Sequence, residues 1–133
     1  AVGGRVLRVD VLMHAGDALR VVREDTALRD AVFEITGKRF GVTAVVDAGG
    51  RLAGVITDGD LRRAWERGAD LASARAVEVM PGAPQTLARE ALAARAVAVM
   101  EEFSITSLFI VEPATGRPVG LIHLHDLLKA GVV

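Results

Sequence analysis

The sequence has no cysteine and no tyrosine, and only one tryptophan and four phenylalanines in 133 residues. Without cysteine there can be no disulfide, no zinc–thiolate centre and no cysteine nucleophile. With so few aromatics, the core must be assembled from small aliphatic side chains. Hydrophobic residues at 51%, largely Ala, Val and Leu, supply them and exclude disorder as a general reading. An excess of one charge sign is also lacking. Sixteen basic and 17 acidic residues leave a net charge of −1. That gives no electrostatic reason to expect nucleic acid or an anionic membrane as a partner. Fourteen of the 16 basic residues are Arg, a side chain suited to bidentate contact with phosphate or carboxylate. Codon bias in a GC-rich genome accounts for most of them. No apolar run approaches a membrane span, and the opening AVGGRVLRVD lacks the apolar centre of a signal peptide. These absences fit a cytoplasmic protein.

The sequence does contain an internal repeat. Val42-Thr43-Ala44-Val45-Val46 resembles Ile105-Thr106-Ser107-Leu108-Phe109, and Gly54-Val55-Ile56-Thr57 resembles Gly120-Leu121-Ile122-His123. The offset is 67 at Met13/Met80, 63 at Thr43/Thr106 and 66 at Asp60/Asp126, so the drift falls in loops. In the first copy, Asp25 or Thr26 is a good N-cap, and Leu28, Val32 and Ile35 follow at helical spacing. Val42 to Asp47 and Arg51 to Ile56 read as strands joined by an Ala48-Gly49-Gly50 turn, and Asp58 to Arg67 reads as a second helix. The second copy repeats the order. Leu92, Ala96, Val99 and Phe103 mark its first helix, which has a poor N-cap because Arg89 and Glu90 replace Asp and Thr. Ser107 to Val111 and Val119 to Ile122 are its strands, and Leu124 to Lys129 closes it.

The expectation is an α+β fold of two pseudo-symmetric repeats. Each is helix–strand–strand–helix with a short apolar lead-in strand, such as Val11-Leu12-Met13. Residues 8–68 form repeat one, 69–76 a linker and 77–133 repeat two. Each repeat is marginal alone, so the two should pack together with clefts between them.

Two strings invite a site. In TDGDLRRA, Thr57 and Asp60 have the spacing of a capping box, in which hydroxyl and carboxylate satisfy the free N–H groups of a helix start. The same pair can accept hydrogen bonds from vicinal sugar hydroxyls. In HLHDLLKA, His123 stands where copy one has Thr57, and Asp126 is retained. His123 and His125 have a spacing that chelates metal from a strand, but only His14 could add a third imidazole. Helix-entry polar residues or contacts to an anionic ligand are the plainer readings, and no metal or cofactor is expected. Thr43 and Thr106 start matching strands. Lys38 and Arg39 lie near the first helix end, where Lys38 could meet phosphate or carboxylate and Arg39 is surface. Of Arg62 and Arg63, one faces the cleft and the other is surface. Met13 and Met80 line core or cleft, since Met fills irregular gaps. No nucleophile motif, paired catalytic carboxylates or phosphate-cradling Gly loop is present, and AGGR sits in a hairpin.

The strings DVLMHAGDALRVV, ALRDAVFEITGK, VITDGDLRRA and IHLHDLLKAGVV carry a resemblance to a tandem pair of cystathionine-β-synthase (CBS) domains. More closely, they resemble the C-terminal CBS pair of bacterial arabinose 5-phosphate isomerases, over roughly residues 8–131. The resemblance implies a regulatory region whose N-terminal sugar-isomerase domain is absent here, so this chain is not itself an enzyme. The parent would interconvert ribulose 5-phosphate and arabinose 5-phosphate and feed synthesis of Kdo, an acid sugar of lipopolysaccharide. It further implies a nucleotide or nucleotide-sugar ligand, best matched by CMP-Kdo, with adenine nucleotides as the alternative. Thr57 and Asp60 would take the ribose hydroxyls. Lys38, His123 and His125 would take phosphate or carboxylate, and Thr43, Thr106, Asp126 and Met13 would line the site. The resemblance also implies a homodimer through the CBS helices. A purely structural, ligand-free oligomerisation module is the rival reading.

Overall fold

The computed structural model describes residues 6–36 and 40–133. In chain order its elements are α1 (Val9–Leu12), a 3-10 turn (Gly16–Ala18), β1 (Val21–Arg23), α2 (Leu28–Thr36), β2 (Val42–Val46), β3 (Leu52–Thr57), α3 (Asp58–Glu66), α4 (Ala76–Val79), β4 (Thr86–Leu87), α5 (Ala93–Phe103), β5 (Ser107–Val111), β6 (Pro118–His123) and α6 (Leu124–Lys129). They form two compact units. One is Arg20–Pro84; the other is Gln85–Val133 together with the N-terminal segment ending at Leu19.

In the 20–84 unit the sheet order is β1-β2-β3, with β1 parallel and β3 antiparallel to β2. The β-branched run Val42–Val46 is buried along its whole length, as a central strand covered on both faces must be. The hairpin turn falls where the sequence places it. The Asp47 carboxylate accepts the N–H of Gly49 and of Arg51, at 2.9 and 3.0 Å. On α2, Leu28, Ala31 and Ile35 face the core at helical spacing, packing with Val22, Val45, Ile56, Ala64 and Val79.

Neither Asp25 nor Thr26 caps α2 as expected. The Thr26 hydroxyl accepts the Arg23 N–H instead, closing the turn before the helix. The first α2 amides donate to main-chain carbonyls, Leu28 to Ala74 at 2.8 Å and Arg29 to Leu71 at 3.2 Å. The stretch read as a linker therefore finishes the helix, and it also buries Ala74 and Ala76 in this core. The other unit does the same: Ala93, at the start of α5, donates to Leu7 at 2.7 Å. A main-chain acceptor in place of a side-chain cap explains why Arg89 and Glu90 are tolerated before that helix.

The 85–133 unit repeats the sheet as β4-β5-β6. Its core gathers Val9, Ala93, Ala96, Val99, Met100, Leu108, Ile110, Ile122, Leu127 and Val132. Val9 shows a second departure from expectation. The lead-ins read as strands are single helical turns, α1 and α4, and four residues are too few for period to tell helix from strand. The strand that does precede each long helix is short, β1 or β4, and pairs parallel with the next. Each lead-in packs in the unit of the other repeat: α1 lies with β6 and α4 with β3. Glycine makes room for it. A Cβ built on Gly120 would collide with Met13, and one on Gly54 with Met80.

Register corrects one alignment. Val42 pairs with Thr57, and Ser107 with His123. Asp58 N–H donates to Gly41, and Leu124 N–H to Thr106. Thr106 therefore matches Gly41, and Thr43 matches Leu108. The Thr–Thr identity was coincidental, because a short β-branched run carries no marker of its own register.

Candidate functional site

The junction of β3 and α3 carries the first polar constellation. Thr57 is extended (φ −110°, ψ 170°) and caps α3. Its hydroxyl accepts the Asp60 N–H at 3.2 Å and donates to Asp60 Oδ2 at 3.0 Å, while Oδ2 also accepts the Thr57 N–H at 2.8 Å. The capping box is complete. It uses only one carboxylate oxygen; the other, Oδ1, accepts from Arg63 Nη2 at 2.6 Å. Asp60 is 6% exposed, and the Arg63 side chain is 55% exposed. A nearly buried anion thus sits at the sheet end of a helix, with one oxygen held by the cap and the other by a half-exposed arginine.

The junction of β6 and α6 carries the second. Asp126 Oδ2 accepts the His123 N–H at 2.7 Å. His123 Nδ1 accepts the His125 N–H at 3.1 Å, so the imidazole replaces threonine as the cap. That bond requires an unprotonated Nδ1. Burial, then the neighbouring His125, pushes the His123 pKa below its ordinary value, with Asp126 opposing and His14 adding to the lowering. The His123 and His125 rings stack at 5.0 Å. Asp126 Oδ1 meets His14 Nε2 at 2.8 Å. His14 is held there by two main-chain bonds with Leu121, of 2.8 and 2.9 Å.

The other expected residues fall as follows. Thr43 has no exposed surface, and its hydroxyl donates to the Arg20 carbonyl at 3.3 Å. Thr106 is exposed and gives its carbonyl to α6. Met13 packs against the core of the 85–133 unit. Lys38 lies outside the described residues. Arg63 was legible as a partner of Asp60 from helical i, i+3 spacing. The pairing of His14 with Asp126, 112 residues apart, carried no local signal. Among the described residues, no group of three or more His, Asp or Glu side chains is placed to hold a metal ion. Nor is any helix long and apolar enough to cross a membrane. An open groove of about 310 Å³, bordered by Arg67, Asp70, Ser73 and Glu78, lies in the 20–84 unit, and neither Thr57 nor Asp60 lines it.

The family model for the CBS domain matches residues 9–67 and 76–133. Over 134 residues the chain is 45% identical to arabinose 5-phosphate isomerase KdsD of Pseudomonas aeruginosa, covering 100% of this chain and 41% of that protein. With the KdsD of Escherichia coli (strain K12) the identity is 37%, over 96% of this chain and 38% of that one. The chain therefore spans well under half the length of these relatives. Among solved structures, the CBS domain pair of protein MJ0100 in complex with 5′-methylthioadenosine and S-adenosyl-L-methionine aligns with a TM-score of 0.84 at 16% identity, over 96% of this chain and 97% of that one. CBSX2 in complex with AMP aligns with a TM-score of 0.79 at 19% identity, over 94% and 96%. At these identities the likeness is one of fold.

Proposed function

This chain belongs to the CBS domain family, and from that premise we propose that it is the ligand-sensing region of an arabinose 5-phosphate isomerase, not itself catalytic, acting in the cytoplasm. The identity to KdsD supports the parent assignment. The observation that carries the sensing role is Asp60: a nearly buried carboxylate whose cap duty takes one oxygen and leaves the other, Oδ1, to the half-exposed side chain of Arg63. Thr57, whose single proton is already given to Asp60, can still accept one further hydrogen bond. Together they suit a vicinal diol such as that of a ribose. In the other repeat Asp126, with His123 and His125 beside it, is the proposed second set of hydroxyl and anion contacts.

The proposed ligand is CMP-Kdo, in which one phosphate joins a ribose to an acid sugar. A regulator on an early step of Kdo synthesis usefully senses the activated end product. Calorimetry of the wild type, Asp60→Ala and Asp60→Asn with CMP-Kdo, CMP and AMP tests it. The asparagine variant can keep the cap while losing the charge. CMP-Kdo should bind tightest, and removal of the charged acceptor should cost about 1.5–3 kcal/mol. Tighter AMP binding would transfer the assignment to adenine nucleotides, the ligand class named for CBSX2. No binding of any compound would leave a structural module. Phe33 and Trp65, exposed at 74% and 67% on α2 and α3, support the further proposal of a homodimer through the helices. Light scattering should give the dimer mass at micromolar concentration.

A further inference from the structure

Asp60 Oδ1 is the only carboxylate oxygen in its capping box that the cap does not use, and Arg63 covers it. The cover is close. Besides the 2.6 Å bond, the guanidinium lies over Gly59, where an added Cβ would stand 3.2 Å from Nη1 and 3.3 Å from Nη2. A larger residue at 59 would crowd the planar group on the first turn of α3 by a few tenths of an ångström. The same oxygen of the matching carboxylate, Asp126 Oδ1, is covered in the other repeat by a different side chain from a different element, His14. Two independent solutions to covering one atom indicate that leaving it bare is unfavourable in a chain without ligand.

We infer that Arg63 sets the specificity of the Asp60 site for anionic polyols over neutral ones. The inference rests on the sensing role proposed above. A ligand diol reaches Oδ1 by displacing the guanidinium. A neutral diol offers that cation nothing in return, so a charge-assisted bond is exchanged for a neutral donor and an unpaired arginine. A ligand carrying a phosphate or carboxylate beside its hydroxyls gives the guanidinium a new partner, and a planar five-donor fork suits either group. The exchange then conserves one charge-assisted bond and adds the hydroxyl bonds. Arg63 is half exposed, on a long side chain, and can turn between the two partners without a main-chain movement.

The test is calorimetry of the intact chain with cytidine, ribose 5-phosphate, CMP and CMP-Kdo, using wild type, Arg63→Gln and Arg63→Lys, each confirmed folded by its melting curve. Wild type should prefer CMP to cytidine by at least about tenfold, the lower end of what one charge-assisted bond contributes. Arg63→Gln should bind cytidine tighter than wild type does and CMP weaker, so the preference collapses; Arg63→Lys should keep most of it. Ribose 5-phosphate reports whether phosphate alone is enough, and a gain only on going from CMP to CMP-Kdo assigns the anion to the acid sugar. Equal weakening of cytidine and CMP by Arg63→Gln, or an unchanged preference, overturns the inference while leaving CMP-Kdo sensing intact. Failure of every probe to bind both wild type and Arg63→Gln overturns the sensing role and this inference with it.

Discussion

Position 123 shows how one side chain changes what a cap can do. The Thr57 hydroxyl does not titrate, whereas His123 must stay unprotonated at Nδ1 to hold the His125 N–H. Its folded pKa lies below the ordinary 6.5, so as pH falls past 6.5 the unfolded chain takes up a proton before the folded chain does. Stability from this group is therefore present in full above 6.5 and is lost as pH falls through the folded value. Melting curves between pH 8 and 5.5 should show a decline in wild type that is shallower in His123→Thr, a variant built like repeat one. Equal slopes would place the acid sensitivity elsewhere. Ser104 offers a second test at this scale. It ends α5 in the left-handed region at φ 53°, where a Cβ is strained. Ser104→Gly should stabilise by roughly 0.5–1 kcal/mol in denaturant unfolding, the relieved strain being partly offset by added freedom in the unfolded chain.

At the scale of elements, the methionine–glycine contacts fix where each lead-in docks. Gly120→Ala would place a Cβ within 2.8 Å of Met13 Cγ, too far up that side chain for a flexible tip to absorb it. The variant should lose about 1–3 kcal/mol of stability. Met13→Ala in the same chain should recover part of that loss, giving a favourable coupling in a double-mutant cycle; strict additivity would mean that the two do not meet. The strands and the closing helices were legible because alternation, Gly-containing turns and the TDGD and HLHD caps are local signals. The cap of α2 was misread because its acceptors are the carbonyls of Ala74 and Leu71, which no local pattern reveals. The Thr57–Asp60 box was legible for the same reason that the His14–Asp126 pair was not: one closes within three residues, the other across 112.

For the whole molecule, the repeat in sequence and the compact unit in space do not coincide. Repetition disclosed the α+β class and the doubling, but it could not disclose that each lead-in belongs to the other repeat's core. A chain lacking the residues up to His14 should therefore suffer in the unit farthest from the cut along the sequence. Amide exchange should quicken in β6, around Leu121, more than in β3, around Ile56; the reverse order would contradict the assignment of α1 to that core. Val9 is fully buried there, and losing it with Leu12 and Met13 should cost several kcal/mol, a large part of a domain's usual stability. The exchange of lead-ins also gives the molecule an order in time. α4 leaves the ribosome after β3 and finds its seat already made. α1 is made well before the elements it packs with, because the partners of His14 come up to 112 residues later. At ordinary synthesis rates that is a wait on the order of ten seconds, with the face carrying Val9 unhoused meanwhile.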